Sequence, residues 1–277
     1  MNQTFSPSRF GRLLRTYFVE NRNALLANVA VLFVVLIAFS SIVYRQYPVS
    51  VANSRYNVLF IVGGAAWYIF TVQQVAVLNE KEKAITYLLR PASLIEKWLQ
   101  LVVVSGLFYL IVCLSLFTII DSIGVWFVNH RNWKPEELKS IREDYGSLLT
   151  IDSYLNWRDI GELPRSFWLS AALIHPASLA LALLIRRYTL PLLPVIAFAF
   201  VFALTFFNRQ LLQGLFSDQV SVSLEIFGNA FVEKINGPWR MVRIPKPAGD
   251  IIRYGVGVSA VLLLYVTAFF RLKEREV

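Results

Sequence analysis

Six stretches of the chain run for 17 to 23 residues without a formal charge: 24–44, 56–78, 98–120, 166–185, 188–207 and 254–270. A helix needs roughly 20 apolar residues to cross a hydrocarbon core ~30 Å thick. The pattern therefore predicts an all-α membrane protein with six transmembrane helices in a single domain over 1–277. Flanking turns extend the third helix back to 94 and the sixth back to 251, which gives spans at 24–44, 56–78, 94–120, 166–185, 188–207 and 251–270. The first run is too long for the ~7–15-residue core of a signal peptide. It ends in Ile42-Val43-Tyr44 rather than in a small-residue cleavage site, so it is expected to stay as a helix.

The polar stretches between the runs are patterned too. Ser6-Pro7 reads as an N-cap followed by proline at the first helical position. Phe10, Leu13, Leu14, Tyr17 and Phe18 then recur on one helical face, with Arg9, Arg12, Arg15 and Arg22 largely off it. Such a basic amphipathic helix, over 6–23, is predicted to lie in the headgroup plane. Residues 79–99 read NEKEKAITYLLRPASLIEKWL. A short helix over 80–89 puts Ile85, Leu88 and Leu89 on one face. Pro91 ends it, because its ring excludes Arg90 from helical geometry. Ser93 and Glu96 form an S-x-x-E capping box that opens the third crossing at about Leu94. Trp98 follows at the membrane boundary.

Two long segments, 121–165 and 208–253, fall on the opposite side. The first holds NHRNWKPEELKSIRED, which predicts a short surface helix around 135–144, and is punctuated by Trp126, Trp133, Trp157 and Trp168. Trp126 and Trp168 read as interfacial belt residues. In the second, Leu224, Phe227, Phe231 and Ile235 share a helical face, which predicts an amphipathic helix over 221–235, too short to span. Residues 45–55 read as a short turn. Arg186-Arg187 alone joins the fourth and fifth runs. His175-Pro176 lies within the fourth, and Pro191 and Pro194 lie early in the fifth. Intramembrane His invites a functional reading, against the plainer one of a neutral ring hydrogen-bonded inside the bundle.

Composition agrees with the pattern: 56% of residues are hydrophobic and mean hydropathy is +0.54. A net charge of +9 could point to nucleic acid, but its placement points to a membrane. With the N-terminus inside, inner segments hold 13 Lys and Arg in 51 positions and outer ones 14 in 102. That density difference puts both termini in the cytoplasm. The single cysteine, Cys113, allows no intrachain disulfide. No G-x-x-x-x-G-K-[ST] loop, H-E-x-x-H or Cys/His cluster is present. GVGVSA at 255–260 lacks the last glycine of a nucleophile elbow. Asp121 sits at the edge of its run, with no second intramembrane aspartate to pair with. An enzyme, a catalytic residue or a bound metal is not expected in this chain.

The order of these parts resembles the permease subunit of an ABC-2-type (type-2 ABC) exporter, and the likeness covers nearly the whole chain in topology. In residues it is carried by SPSRFGRLLRTYFVENRNALL near the start, YLLRPASLIEKWL at 87–99 and AFFRLKEREV at the end. The resemblance implies that the segment 79–93, between crossings two and three, holds a cytoplasmic coupling helix for a separate ABC ATPase. On this sequence that assigns ATPase coupling to Glu80, Lys81, Glu82, Lys83, Ile85, Leu88, Leu89, Arg90 and Pro91. Ser93 and Glu96 are the structural caps, and Arg9, Arg12, Arg15, Trp98, Trp126 and Trp168 the interfacial anchors. It implies no cofactor in this chain, with ATP and Mg held by the partner, a homodimer or a pairing with a second permease, and a bacterial inner membrane. The cargo is not identified, though uncharged crossings suit an amphipathic or lipid-like one. A non-transporting scaffold or anchor of a larger complex is the alternative. An ion-coupled transporter is disfavoured by the absence of charge within the runs.

Overall fold

The structure, a computed structural model, describes residues 4–145, 150–153, 165–185, 189–216, 220–224, 230–234, 239–242, 245 and 247–276. Helices dominate it: α1 (Pro7–Glu20), α2 (Arg22–Val43), α3 (Pro48–Asn79), α4 (Lys81–Leu88), α5 (Leu94–Asn129), α6 (Pro135–Tyr145), α7 (Arg165–Leu184), α8 (Thr189–Phe216) and α9 (Ala248–Glu276). All six apolar runs fall on helices. Four of these, α2, α3, α5 and α9, are long and apolar enough to cross a membrane, and α7 carries a shorter apolar stretch, Trp168–Leu184. The chain is a helical membrane protein. Its long helices leave large apolar side chains such as Val31, Ile61, Ile123 and Leu263 mostly exposed, a surface suited to lipid.

Two expectations are corrected. Residues 45–55 are not a turn: Pro48 stands at the first position of α3, with its fixed φ pre-set for a helix, and only 44–47 link α2 to α3. Residues 221–235 do not form one amphipathic helix. Val220–Leu224 (β1) and Ala230–Lys234 (β2) are antiparallel strands, joined by Trp239–Val242 (β3) in the sheet order β1-β2-β3. Val222 pairs with Val232, and Phe231 with Met241. This small sheet is the departure from an otherwise helical fold. Trp157 and the Arg186-Arg187 link lie outside the described residues.

The contacts divide the chain into two units, Met1–Gln74 with Leu89–Leu163, and Val75–Leu88 with Pro164–Val277. In the first unit α2, α3 and α5 pack together. Both α3 and α5 change pitch on the way, through π-helical turns at Val58–Val62 and Val103–Phe108. A π turn disturbs the regular carbonyl ladder, and in lipid every carbonyl needs an internal partner. Aromatic side chains from the facing helix supply them. Trp67 Nε1 donates to Ser105 O at 2.7 Å, and Tyr109 Oη donates to Gly63 O at 2.7 Å. The two rings stack, with centroids 5.8 Å apart. Gly63 permits the approach, since a Cβ there would stand 3.3 Å from Cys113 Sγ.

In the second unit α7 packs along α9. Gly257 sets their closeness: a Cβ would meet Leu169 Cδ2 at 2.7 Å. His175 is buried, its Nδ1 2.8 Å from Tyr265 Oη, and Pro176 sits inside α7 without ending it. Arg275 Nη2 donates to Leu183 O at 2.8 Å, covering a terminal carbonyl of α7, and its Nη1 donates to Asn79 Oδ1 at 3.0 Å.

Candidate functional site

The capping box forms as the sequence predicts, and it does more than start a helix. Ser93 Oγ accepts from Glu96 N at 3.4 Å, and Glu96 Oε2 accepts from Ser93 N at 2.9 Å. The same carboxylate reaches back 87 residues along the chain. Arg9 Nε donates to Oε2 and Arg9 Nη2 to Oε1, both at 2.7 Å, and Ser6 N donates to Oε1 at 2.8 Å. Ser6 is the N-cap of α1, and its own side chain caps nothing. Glu96 thus serves the first turns of two helices at once, α1 and α5. Its side chain is fully buried, and a carboxylate removed from water is tolerable only when donors surround it. Four surround this one. The hydrogen bond it donates to this carboxylate in turn holds the Arg9 guanidinium above its ordinary pKa.

The far end of α1 is tied down as well. Arg90 Nη2 donates to Glu20 Oε2 at 2.7 Å. Tyr17 Oη hydrogen-bonds Gln74 Oε1, and burial pushes its phenol up to about 12. Phe18 meets Phe108 edge-on at 5.2 Å. The basic helix therefore does not lie alone: it is fixed by Arg90, just past α4, and by Glu96 and Phe108 of α5. Arg9 is the ion-pair partner of Glu96, while Arg12 and Arg15 are exposed.

The segment expected to couple to an ATPase folds into α4, one residue shorter at each end than the expected 80–89. Glu80 stands before it and its carbonyl accepts from Ala84 N at 2.8 Å. Lys81, Glu82, Lys83 and Leu88 lie within α4, and Leu89 lies just past its end. Ile85 is 49% exposed and Leu89 74% exposed, outside the apolar runs. Pro91 centres a tight turn closed by Ala92 N donating to Arg90 O at 2.7 Å. Trp98 is half-buried; Trp126 and Trp168 are exposed. Trp126 stacks on His130 with centroids 5.0 Å apart, near the end of α5.

A second charged cluster escaped the sequence. Arg55 and Asp121 are both buried, with Arg55 Nη1 3.6 Å from Asp121 Oδ1. Tyr44 Oη donates to Asp121 Oδ1 at 2.5 Å, and Arg55 Nη1 donates to Asp152 O at 2.5 Å. Arg55 also lies over the Tyr56 ring, 5.2 Å from its centroid. The cluster joins α2, α3 and α5 at the end remote from α1. Around it, Asn129 Nδ2 donates to Ile151 O and Ile151 N donates to Asn129 Oδ1, both at 2.9 Å. Arg131 Nη1 donates to Arg45 O at 2.9 Å. The available signal was that Arg55 and Asp121 are each the first charge beyond an apolar run, at the same end of neighbouring crossings. Two opposite charges placed so can cancel and let both helices continue.

Comparison of the chain with protein-family models, curated proteins and solved structures finds no match.

Proposed function

We propose that this chain is the membrane-spanning permease subunit of an ATP-driven exporter, working with a separate ABC ATPase that binds ATP and Mg. Six crossings with both termini in the cytoplasm, in a bacterial inner membrane, complete the reading. The observation that carries it is the Glu96 clamp. A device that converts ATPase closure into helix movement needs a stiff link between the docking segment and a crossing helix. Glu96 and Arg90 fasten α1 to the chain on either side of Pro91, directly after α4, and the third crossing starts inside the same cluster. Ile85 and Leu89 are exposed apolar side chains, of the kind a partner's groove covers. Two such chains, or one with a second permease, would pair around the cargo route, and the amphipathic or lipid-like character of the cargo follows from crossings without charge on their open faces.

The test is co-expression with candidate ABC ATPases, followed by capture on a tagged permease. Wild type is expected to retain an ATPase, and the double variant Ile85→Asp, Leu89→Asp to lose it at least ten-fold while its melting temperature stays unchanged. A wild type that captures no ATPase overturns the reading in favour of a scaffold. A double variant that captures it equally well overturns the docking assignment.

A further inference from the structure

A groove of about 370 Å³ runs along one side of α2, walled by α3 and α5. Leu25, Val29 and Leu32 line it from α2, Ala65 and Ala66 from α3, and Tyr109 from α5. The two alanines create the hollow, since their neighbours in the wall are larger. Its polarity is graded. Asn28 and Gln73 are its amides, both at the end nearest α1, and beyond them it is walled by apolar residues as far as Phe39.

Dimensions decide what fits. From Leu25 to Phe39 the groove follows α2 for roughly 21 Å at 1.5 Å per residue, more than the ~15 Å of hydrocarbon in one leaflet. Spread over that length, 370 Å³ leaves a section of roughly 18 Å², against about 80 Å² for a helix about 10 Å across. One hydrocarbon chain fits, and a helix of a second copy does not. Charge marks the head end. Arg22 precedes Leu25 by one turn on the same stripe, 22, 25, 29 and 32. Arg12, Arg15 and Arg22 are exposed, and none is ion-paired among the described residues, whereas Arg9 and Arg90 are held by Glu96 and Glu20.

We infer that this groove binds an anionic phospholipid lengthwise, with one acyl chain along α2 from Leu25 to Phe39, its ester groups at Asn28 and Gln73, and its phosphate at Arg22. Any lipid-facing helix touches acyl chains. This place differs in closing around one chain on three sides and in ending beneath an unneutralised cation, the arrangement that holds anionic headgroups at membrane proteins. The inference needs only that α2, α3 and α5 cross a membrane, so it stands apart from the exporter reading.

The test uses the full chain in detergent with equal phosphatidylglycerol and phosphatidylcholine added, read by native mass spectrometry. Wild type is expected to keep one phosphatidylglycerol in at least five-fold excess over phosphatidylcholine. Ala66→Trp, which fills the groove, should lose it at least five-fold. Arg22→Gln should bring the two lipids to parity, and Leu263→Trp, on an exposed face of α9, should change nothing. Retention by Ala66→Trp equal to wild type overturns the site. So does an altered oligomeric state in that variant with lipid retention unchanged, which would give the groove to a protein partner. An unchanged lipid ratio in Arg22→Gln overturns the headgroup placement. Should Ala66→Trp fail to fold, wild type photolabelled with diazirine-acyl phosphatidylglycerol decides. Label concentrated in peptides covering 25–39 and 61–73 supports the site, and label spread evenly over the apolar helices overturns it.

Discussion

Asp121 and Glu96 are two buried carboxylates whose surroundings use different chemistry. Glu96 takes charge from Arg9 and three further hydrogen bonds from Arg9, Ser6 and Ser93. Asp121 receives the short bond from Tyr44, with Arg55 a little farther off. The Tyr44 ring can reach Asp121 because residue 124 is glycine: a Cβ there would stand 2.6–2.7 Å from three atoms of the ring. Gly124→Ala must therefore push the ring off the carboxylate, and a core overpacked by one carbon typically loses about 1–3 kcal/mol. The loss should vanish in the Tyr44→Ala background, where no ring remains to collide. A thermal-denaturation double-mutant cycle in detergent measures this. Equal cost of Gly124→Ala with and without the ring would refute the packing account. Tyr44 was not legible as a partner of Asp121, because it reaches the carboxylate from the end of another helix rather than by spacing along α5. The Ser93–Glu96 box was legible, since both residues lie within one turn of the same helix. Its third member, Arg9, belongs to another helix and read from sequence only as a surface cation.

At the scale of elements, the apolar runs located the long helices but drew them too short. The scan for uncharged residues stops at Arg55 and Asp121, yet α3 begins at Pro48 and α5 continues to Asn129, because those charges meet each other instead of water. The strands at 220–234 failed for a different reason. Leu224, Phe227, Phe231 and Ile235 fit a helical period, but Val220, Val222 and Leu224 alternate with Ser221 and Ser223, and Gly228-Asn229 is a turn signal between the two halves. Alternation with β-branched residues was the stronger cue. The π turns of α3 and α5 have no sequence signature of this kind, and their partners can be tested. Tyr109→Phe keeps the ring and removes its donor to the Gly63 carbonyl. It is expected to lower stability by roughly 0.6–1.7 kcal/mol, the range for hydrogen bonds between membrane helices. Chemical denaturation in mixed micelles reads the change. A variant as stable as wild type would mean that the freed carbonyl finds another donor.

The number of crossings is a property of the whole chain, and parity arguments can settle it. Among the described residues four helices qualify as spans by length and hydropathy, and the six-crossing reading adds α7 and α8. Labelling α4 and the C-terminus cannot separate the two counts, since adding or removing a pair of crossings leaves both on the same side. Two positions do separate them: Glu136 in α6, and Arg187 in the link between α7 and α8. With six crossings, Arg187 shares a side with Glu82 and is opposite to Glu136. With four, α7 and α8 stay on one side and Arg187 joins Glu136. The natural Cys113 is buried, so a Cys113→Ser background carries single cysteines at 82, 136 and 187. A membrane-impermeant maleimide applied to intact cells is expected to label Glu136→Cys alone, and all three after permeabilisation. Labelling of Arg187→Cys in intact cells would reduce the count to four. The exporter reading is proposed with six crossings, so labelling of Arg187→Cys in intact cells would overturn that part of it.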